Sequence, residues 1–261
     1  MIVALLTDFG TSDYFVAAVK GSILTVDPSA VIIDITHDIS PHDIRSAAVV
    51  LAACYRDFPP ETIFTVVVDP GVGSSRRAIA VSCKDLIFVA PDNGVLSRVL
   101  GDAEYKAFEL TNQRYFGPRR SSTFHGRDIF GPVSAHIALG VPLSELGPPA
   151  HDLSMLEFRR PRSSGGFLIA EITNIDRFGN IVTDLLPSDI PAQFELSING
   201  HKVILIKDSY ADAGPNELFL IVGSSGFVEV SMQGSSAAAM TGGAIGQELS
   251  LSSPIRSDFP E

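Results

Sequence analysis

The sequence predicts an α/β N-terminal domain with a mostly parallel sheet, followed by an all-β, barrel-like C-terminal domain. Three observations carry this. In the first half, short apolar runs alternate with segments of helical period, as βαβ units do. Four of those runs end on a loop that bears an aspartate. Beyond a stretch rich in Pro, Gly and Ser, closely spaced strands follow one another with little helix between them. The predicted boundaries are 1–150 for the first domain, 151–166 for a linker and 167–261 for the second domain.

Taken in order, Ile2–Leu6 reads as the first strand and ends in Thr7-Asp8-Phe9-Gly10. Tyr14–Val26 has Phe15, Val19, Ile23 and Val26 at helical spacing. Val31–Ile35 is the second strand, followed by Thr36-His37-Asp38, and Asp43–Tyr55 the next helix. Ile63–Val68 is a buried, β-branched strand that stops at Asp69-Pro70. Ala78–Ser82 and Leu86–Ala90 form a further pair, ending in Pro91-Asp92-Asn93-Gly94. Val95–Leu100 and Ile129–Leu139 read as helices, with Asp128 as the expected N-cap of the second.

In a mostly parallel sheet, Asp8, Asp38, Asp69 and Asp92 fall at one sheet edge, where α/β folds bind ligands. The stretch Ile63–Ala80 is the richest of these. Gly71 and Gly73 make a tight loop after Asp69, and Arg76 and Arg77 follow, so a guanidinium lies seven residues beyond the carboxylate. His125 lies just ahead of an apolar helix, where a loop residue can face a cleft.

The second half contains short strands at Phe167–Ile172, Ile181–Leu185, Phe194–Ile198, Val203–Lys207, Leu218–Val222, Phe227–Met232 and Glu248–Leu251. Asn199-Gly200 is a type I′ hairpin signal. Polar clusters at 174–180, 209–216 and 223–226 read, from composition alone, as inter-strand turns.

The net charge of -11 argues against a phosphate-backbone partner and fits a cationic or small neutral ligand better. Cys54 and Cys83 sit in apolar runs without metal-ligand spacing, so they read as core residues, and no metal is expected. The N-terminus lacks a basic region before its apolar run, and no apolar stretch approaches the roughly 20 residues of a membrane span. A soluble cytoplasmic protein is expected.

The stretches TDFGTSDYFVAAVKG, VDPGVGSSRRAIAV, APDNGVLS, TFHGRDIFGPVSAHIALG, IDRFGNIVTDL, YADAGPNE and GSSGFVEV together resemble one family over nearly the whole chain. This is the S-adenosyl-L-methionine hydroxide adenosyltransferases, relatives of the fluorinase and chlorinase enzymes. Their order and spacing carry the resemblance. It implies a homotrimer with active sites between the N-terminal domain of one subunit and the C-terminal domain of the next. It also implies hydrolysis of S-adenosylmethionine to adenosine and methionine, with no cofactor.

By the same resemblance, Asp69, Arg76 and His125 set the nucleophilic water, and the seven-residue spacing favours Arg76 over its neighbour Arg77. Asp8 matches the carboxylate that takes both ribose hydroxyls. Asp176 and Asn180 match positions that grip the methionine moiety, Ser224 a contact to its carboxylate, and Phe178 and Tyr210 aromatic walls. Ser225 stands where the fluorinating relatives have Arg, and the segment around Met232-Gln233-Gly234 leaves the adenine contacts open. A halogenase of the same superfamily is the first alternative. Its members carry Tyr where this chain has Asp69, and the fluorinating ones carry a long insertion before the APDNG-like segment. A sensor that binds S-adenosylmethionine or adenosine without turnover is the second.

Overall fold

A computed structural model of the chain describes residues 1–101, 103–119 and 121–253; residues 254–261, assigned above to the second domain, lie outside the described residues. The chain forms two compact units, Met1–Glu157 and Phe158–Glu261.

In the first unit the elements run β1 (Ile2–Thr7), α1 (Phe15–Val26), β2 (Val31–Thr36), α2 (Ile44–Cys54), β3 (Ile63–Val67), β4 (Ala78–Cys83), β5 (Leu86–Pro91), α3 (Ser97–Leu100), β6 (Tyr105–Glu109) and α4 (Gly131–Ala138). The strands make one sheet in the order β2-β1-β3-β5-β4-β6. Pairs β1/β2, β1/β3 and β3/β5 are parallel, while β4 runs antiparallel to both β5 and β6. The four strands that precede Asp8, Asp38, Asp69 and Asp92 therefore all point the same way, and these residues share one edge.

Alternation along β1 explains the two-sided core. Ala4 and Leu6 pack with Ala47 and Leu51 of α2, and with Phe64 and Phe88, whose rings stack at 5.1 Å. Val3 and Leu5 face the other way, onto Val19 and Ile23 of α1 and Ala135 of α4. α2 begins where Asp43 caps it, accepting from the Ser46 N–H at 2.8 Å.

Asp128 does not cap α4. It lies inside a π-helical turn, Gly126–Phe130, that precedes α4, and its carboxylate accepts from the Ser121 N–H at 2.7 Å and from Arg127 Nε at 2.6 Å. The side chain is thus spent on the preceding loop and its own neighbour. β6 lies outside the sequence reading. Its YKAFE pattern has one buried residue, Ala107, so it lacks the apolar run of a central strand.

The stretch after Gly140 is ordered against the first unit up to Glu157. Arg77 donates to the carbonyls of His151 and Asp152, each at 2.9 Å, and to Asp92 at 2.8 Å; the Ser154 N–H donates to Asp92 at 2.8 Å.

The second unit contains β7 (Arg162–Ser164), β8 (Phe167–Ile175), β9 (Ile181–Thr183), β10 (Glu195–Ile198), β11 (His201–Val203), β12 (Leu218–Val222), β13 (Val228–Met232), α5 (Ala237–Thr241) and β14 (Glu248–Ser252). The sheet runs β11-β10-β14-β8-β9-β13-β12 with every pair antiparallel, and β7 adds to β8. Asn199 and Gly200 both have positive φ, 48° and 82°, and join β10 to β11 as a type I′ turn requires. Beyond β11, Leu220 N–H donates to the Leu205 carbonyl and Lys207 N–H to the Leu220 carbonyl, which almost closes the sheet into a barrel. Ile172, Ile181, Leu196, Leu220, Val228 and Val230 fill its interior.

Candidate active site

In the first unit, the carboxyl edge of the sheet opens into a cavity of about 260 Å3 lined by Asp8, Phe9, Phe15, His42, Asp69, Phe124 and His125, among others. The register sets Thr7 of β1 opposite Val67 of β3, so the loops bearing Asp8 and Asp69 leave the sheet side by side. Phe9, Phe15 and Phe124 form one wall, with ring centroids 5.3–5.8 Å apart.

Asp69 leads a loop that turns twice: Val72 N–H bonds to the Asp69 carbonyl and Ser74 N–H to the Gly71 carbonyl. Gly73 adopts φ +78°, and a Cβ there would run into the Ser122 carbonyl. This close approach ties the Asp69 loop to the segment that bears His125. The double turn brings Arg76 back onto Asp69. Its Nε donates to both carboxylate oxygens, at 2.9 and 3.0 Å, and one terminal nitrogen bonds to Oδ2 as well. The same terminal nitrogen lies 2.7 Å from His125 Nδ1.

These contacts fix the protonation pattern. A guanidinium has donors only, so His125 Nδ1 must accept, and the neutral ring carries its proton on Nε2. Burial lowers the His125 pKa, and the Arg76 charge lowers it further; Asp69 and Asp128 oppose them. The pair is secluded, with the side chains of Arg76 and Asp69 only 10% and 5% exposed. The Arg76 guanidinium also lies 5.3 Å over the Phe130 ring.

Asp8 accepts from the His42 N–H at 2.8 Å through Oδ2, and Oδ1 has no hydrogen-bond partner among the described residues. Asp38 is exposed and does not line this cavity, and Asp92 is held by Arg77 and Ser154. Two of the four strand-end aspartates thus face the cavity. Arg77 points to Asp92, whereas Arg76 points to Asp69 and His125.

The second unit has its own cavity, about 870 Å3, and Asp176, Phe178, Asn180, Tyr210 and Ser224 all line it. Asp176 organises a tight turn. Its Oδ1 accepts from the Phe178 and Asn180 N–H groups at 2.9 and 2.8 Å, and Oδ2 from the Asn180 side chain at 2.9 Å. Phe178 is left 79% exposed. Tyr210 donates to Glu229 at 3.3 Å. Burial raises the pKa of both, and the Asp176 charge raises that of Glu229 further, against its hydrogen bond from Tyr210. Met232, Gln233 and Gly234 also line this cavity.

The sequence reading missed Glu229 and the Phe9, Phe15 and Phe124 wall. The three phenylalanines lie within the stretches TDFGTSDYF and TFHGRD, adjacent to the chosen polar residues, which was the available signal. Glu229 alternates with inward-facing Val228 and Val230, so it reads as a solvent-facing strand residue. Among the described residues, no group of His, Cys, Asp and Glu is placed to hold a metal ion, and no helix is long and apolar enough to cross a membrane.

Comparison with known proteins adds three findings. Residues 3–147 match the family model of the SAM hydroxide adenosyltransferase N-terminal domain, and residues 170–250 that of the C-terminal domain. The chain is 37% identical over 256 residues to an (R)-S-adenosyl-L-methionine hydrolase of Salinispora arenicola, covering 95% of this chain and 96% of the relative. It is 30% identical over 250 residues to a fluorinase of an Actinoplanes species, covering 82% and 84%. A crystal structure of an uncharacterized conserved protein from Thermotoga maritima superposes with a TM-score of 0.89 at 36% identity, covering 97% of this chain and all of that one.

Proposed function

Because the chain belongs to the SAM hydroxide adenosyltransferase family, we propose that it hydrolyses S-adenosyl-L-methionine to adenosine and L-methionine by in-line attack of water or hydroxide at C5′. The observation that carries this reading is the joined Asp69, Arg76 and His125 set at the sheet-edge cavity. The new bond joins the water oxygen to C5′. The C5′–S bond breaks with its electron pair going to sulfur, so a sulfonium leaves as a neutral thioether and needs no acid. One proton is released overall.

The protein's task is then placement and charge. Holding water in line with the C5′–S bond lowers the barrier by roughly 7–11 kcal/mol relative to separate reactants. Asp69 orients the water and receives its proton. Arg76 locks the Asp69 carboxylate from two sides and fixes the His125 tautomer. The His125 Nε2–H is thereby free to donate to the attacking oxygen. Asp8, whose Oδ1 has no partner among the described residues, accepts from the ribose hydroxyls. Asp176, Asn180, Phe178, Tyr210 and Ser224 hold the remainder of the substrate.

The proposal includes a homotrimer, with sites where the first unit of one subunit meets the second unit of another, and a cytoplasmic setting. It is supported by the residue set being divided between two units, each with its own cavity. No cofactor or metal takes part. Asp69 disfavours halide as the nucleophile: like charges 4 Å apart at an effective dielectric of 20 repel by about 4 kcal/mol. Chromatography of the products in halide-free buffer containing EDTA tests the reading. Adenosine and methionine are expected in equal amounts. Loss of activity with the chelator, or a 5′-halo nucleoside once chloride is added, would sink it.

A further inference from the structure

The segment that follows β2 contains a buried titratable side chain that the proposed reaction does not use. His37 is 6% exposed and lies beside the Asp8 loop without lining either cavity described above. A buried imidazole is costly unless its ring nitrogens meet polar groups. Here Nδ1 is 2.9 Å from the Thr7 hydroxyl. Nε2 is 3.0 Å from Asp34 Oδ1, out of line for a full hydrogen bond, and Asp34 Oδ2 in turn accepts from Lys20 of α1 at 2.6 Å.

A β-bulge aims His37 this way. β2 pairs with β1 through Asp34 opposite Leu5, but the next pair is Thr36 opposite Leu6, so Ile35 is an extra residue. In an unbroken strand, residues 34 and 37 would face opposite sides of the sheet. The bulge puts both on the side of Leu5 and Thr7, toward α1.

From there His37 holds the Asp8 loop on either side of the carboxylate. Ahead of Asp8 it bonds the Thr7 hydroxyl, and the same oxygen accepts the Phe9 N–H at 3.3 Å. Beyond Asp8, the His37 carbonyl accepts the Gly10 N–H at 2.7 Å, where Gly10 turns at a φ of 65°. Five residues on from His37, the His42 N–H donates to Asp8 Oδ2 itself. A carboxylate faces Nε2, so the neutral ring carries its proton there and Nδ1 accepts from Thr7. The lone pairs of the Thr7 oxygen are then left for the Phe9 N–H.

We propose that His37 is a positioning residue: through Thr7 it fixes the Asp8 loop so that the carboxylate meets both ribose hydroxyls. It touches no substrate atom. The proposal rests on Asp8 taking the ribose, and its test keeps failure here apart from failure of the hydrolase reading.

Calorimetry on the full chain would compare adenosine with 2′,3′-dideoxyadenosine, which lacks both hydroxyls, in wild type, Thr7→Val, Thr7→Ser, His37→Leu and His37→Asn. Thr7→Val keeps the side-chain shape but not the oxygen, and decides the matter should His37→Leu fail to fold. Thr7→Val and His37→Leu are expected to weaken adenosine by about three- to tenfold and leave the dideoxy compound within about twofold. Thr7→Ser keeps the hydroxyl, and the amide oxygen of His37→Asn replaces Nδ1 as acceptor, so both should stay within about twofold of wild type. With S-adenosylmethionine, KM should rise in the two weakened variants with kcat nearly unchanged.

If both nucleosides weaken together, His37 only supports the fold and the proposal is wrong. It is equally wrong if neither weakens, if His37→Asn fails as His37→Leu does, or if kcat falls at constant KM. A wild type with no preference for adenosine over the dideoxy compound overturns it too, because Asp8 then does not take the hydroxyls. A wild type that shows the preference but releases no adenosine from S-adenosylmethionine would refute the hydrolase reading while the binding comparison still decides His37.

Discussion

Asp69 and Asp8 line one cavity, yet the reaction asks different things of them. In the proposed reaction Asp69 meets the nucleophile, which becomes bonded only in the transition state, so Asp69→Ala should lower kcat by about 10²–10⁴-fold with little change in substrate affinity. By the same proposal Asp8 meets ribose hydroxyls that are present throughout, and Asp8→Ala should cost about 1.5–3 kcal/mol of binding per lost contact. Single-turnover rates paired with calorimetry separate the two; an Asp69→Ala protein that binds weakly but turns over normally at saturation would make Asp69 an anchor instead. His125 gives a second residue-scale expectation. Its pKa lies below the ordinary imidazole value of 6.5 through burial and Arg76. Between that lowered value and 6.5 the unfolded chain binds more protons than the native protein, so His125 makes stability rise with pH across this window. Acidification below about 6.5 removes that contribution. Only below the lowered value does the native ring itself become charged, and it can then no longer accept from Arg76. Arg76→Met should move the His125 pKa upward, since the neighbouring positive charge is gone and Asp69 is unmasked. An NMR titration of the ring that gave the same or a lower value would contradict the part assigned to the Arg76 charge.

At the scale of elements, the site depends on loops held by close approaches. Gly73→Ala places a Cβ against the Ser122 carbonyl at a φ of +78°, so it strains the Asp69 loop and pushes it away from the His125 segment. We expect a loss of at least about 1 kcal/mol of stability, read by denaturant melts, and a larger fall in kcat than in affinity. Unchanged kcat would show that the two loops are not coupled. The parallel core was legible because β1 and β3 are unbroken apolar runs that end on Asp, and the Asn199-Gly200 hairpin because both positions need positive φ. The π-helical turn at Gly126–Phe130 was not, since helical periodicity continues through it and the register change comes from tertiary packing of Gly126 on Val19, Phe9 and Val67. The aspartate at position 128 looks like a cap in sequence for the same reason.

For the whole molecule, the expected trimer should elute with a light-scattering mass three times the 27.8 kDa of the chain, and a fully active monomer would refute composite sites. Residues that line the two cavities could be named from the sequence because they lie in the stretches that carry the family resemblance, whereas composition alone left those of the second unit as inter-strand turns. Glu229 could not, because its burial comes from the packing of residues 205–221 over a strand face that alternation marks as outward. The central claim is that a water oxygen held by Asp69, Arg76 and His125 ends on C5′. Turnover of S-adenosylmethionine in ¹⁸O-labelled water, followed by mass spectrometry of the adenosine, tests it most directly. The account predicts one labelled oxygen, at the 5′-hydroxyl, with unlabelled methionine. Adenosine without label, or no adenosine at all, would contradict it.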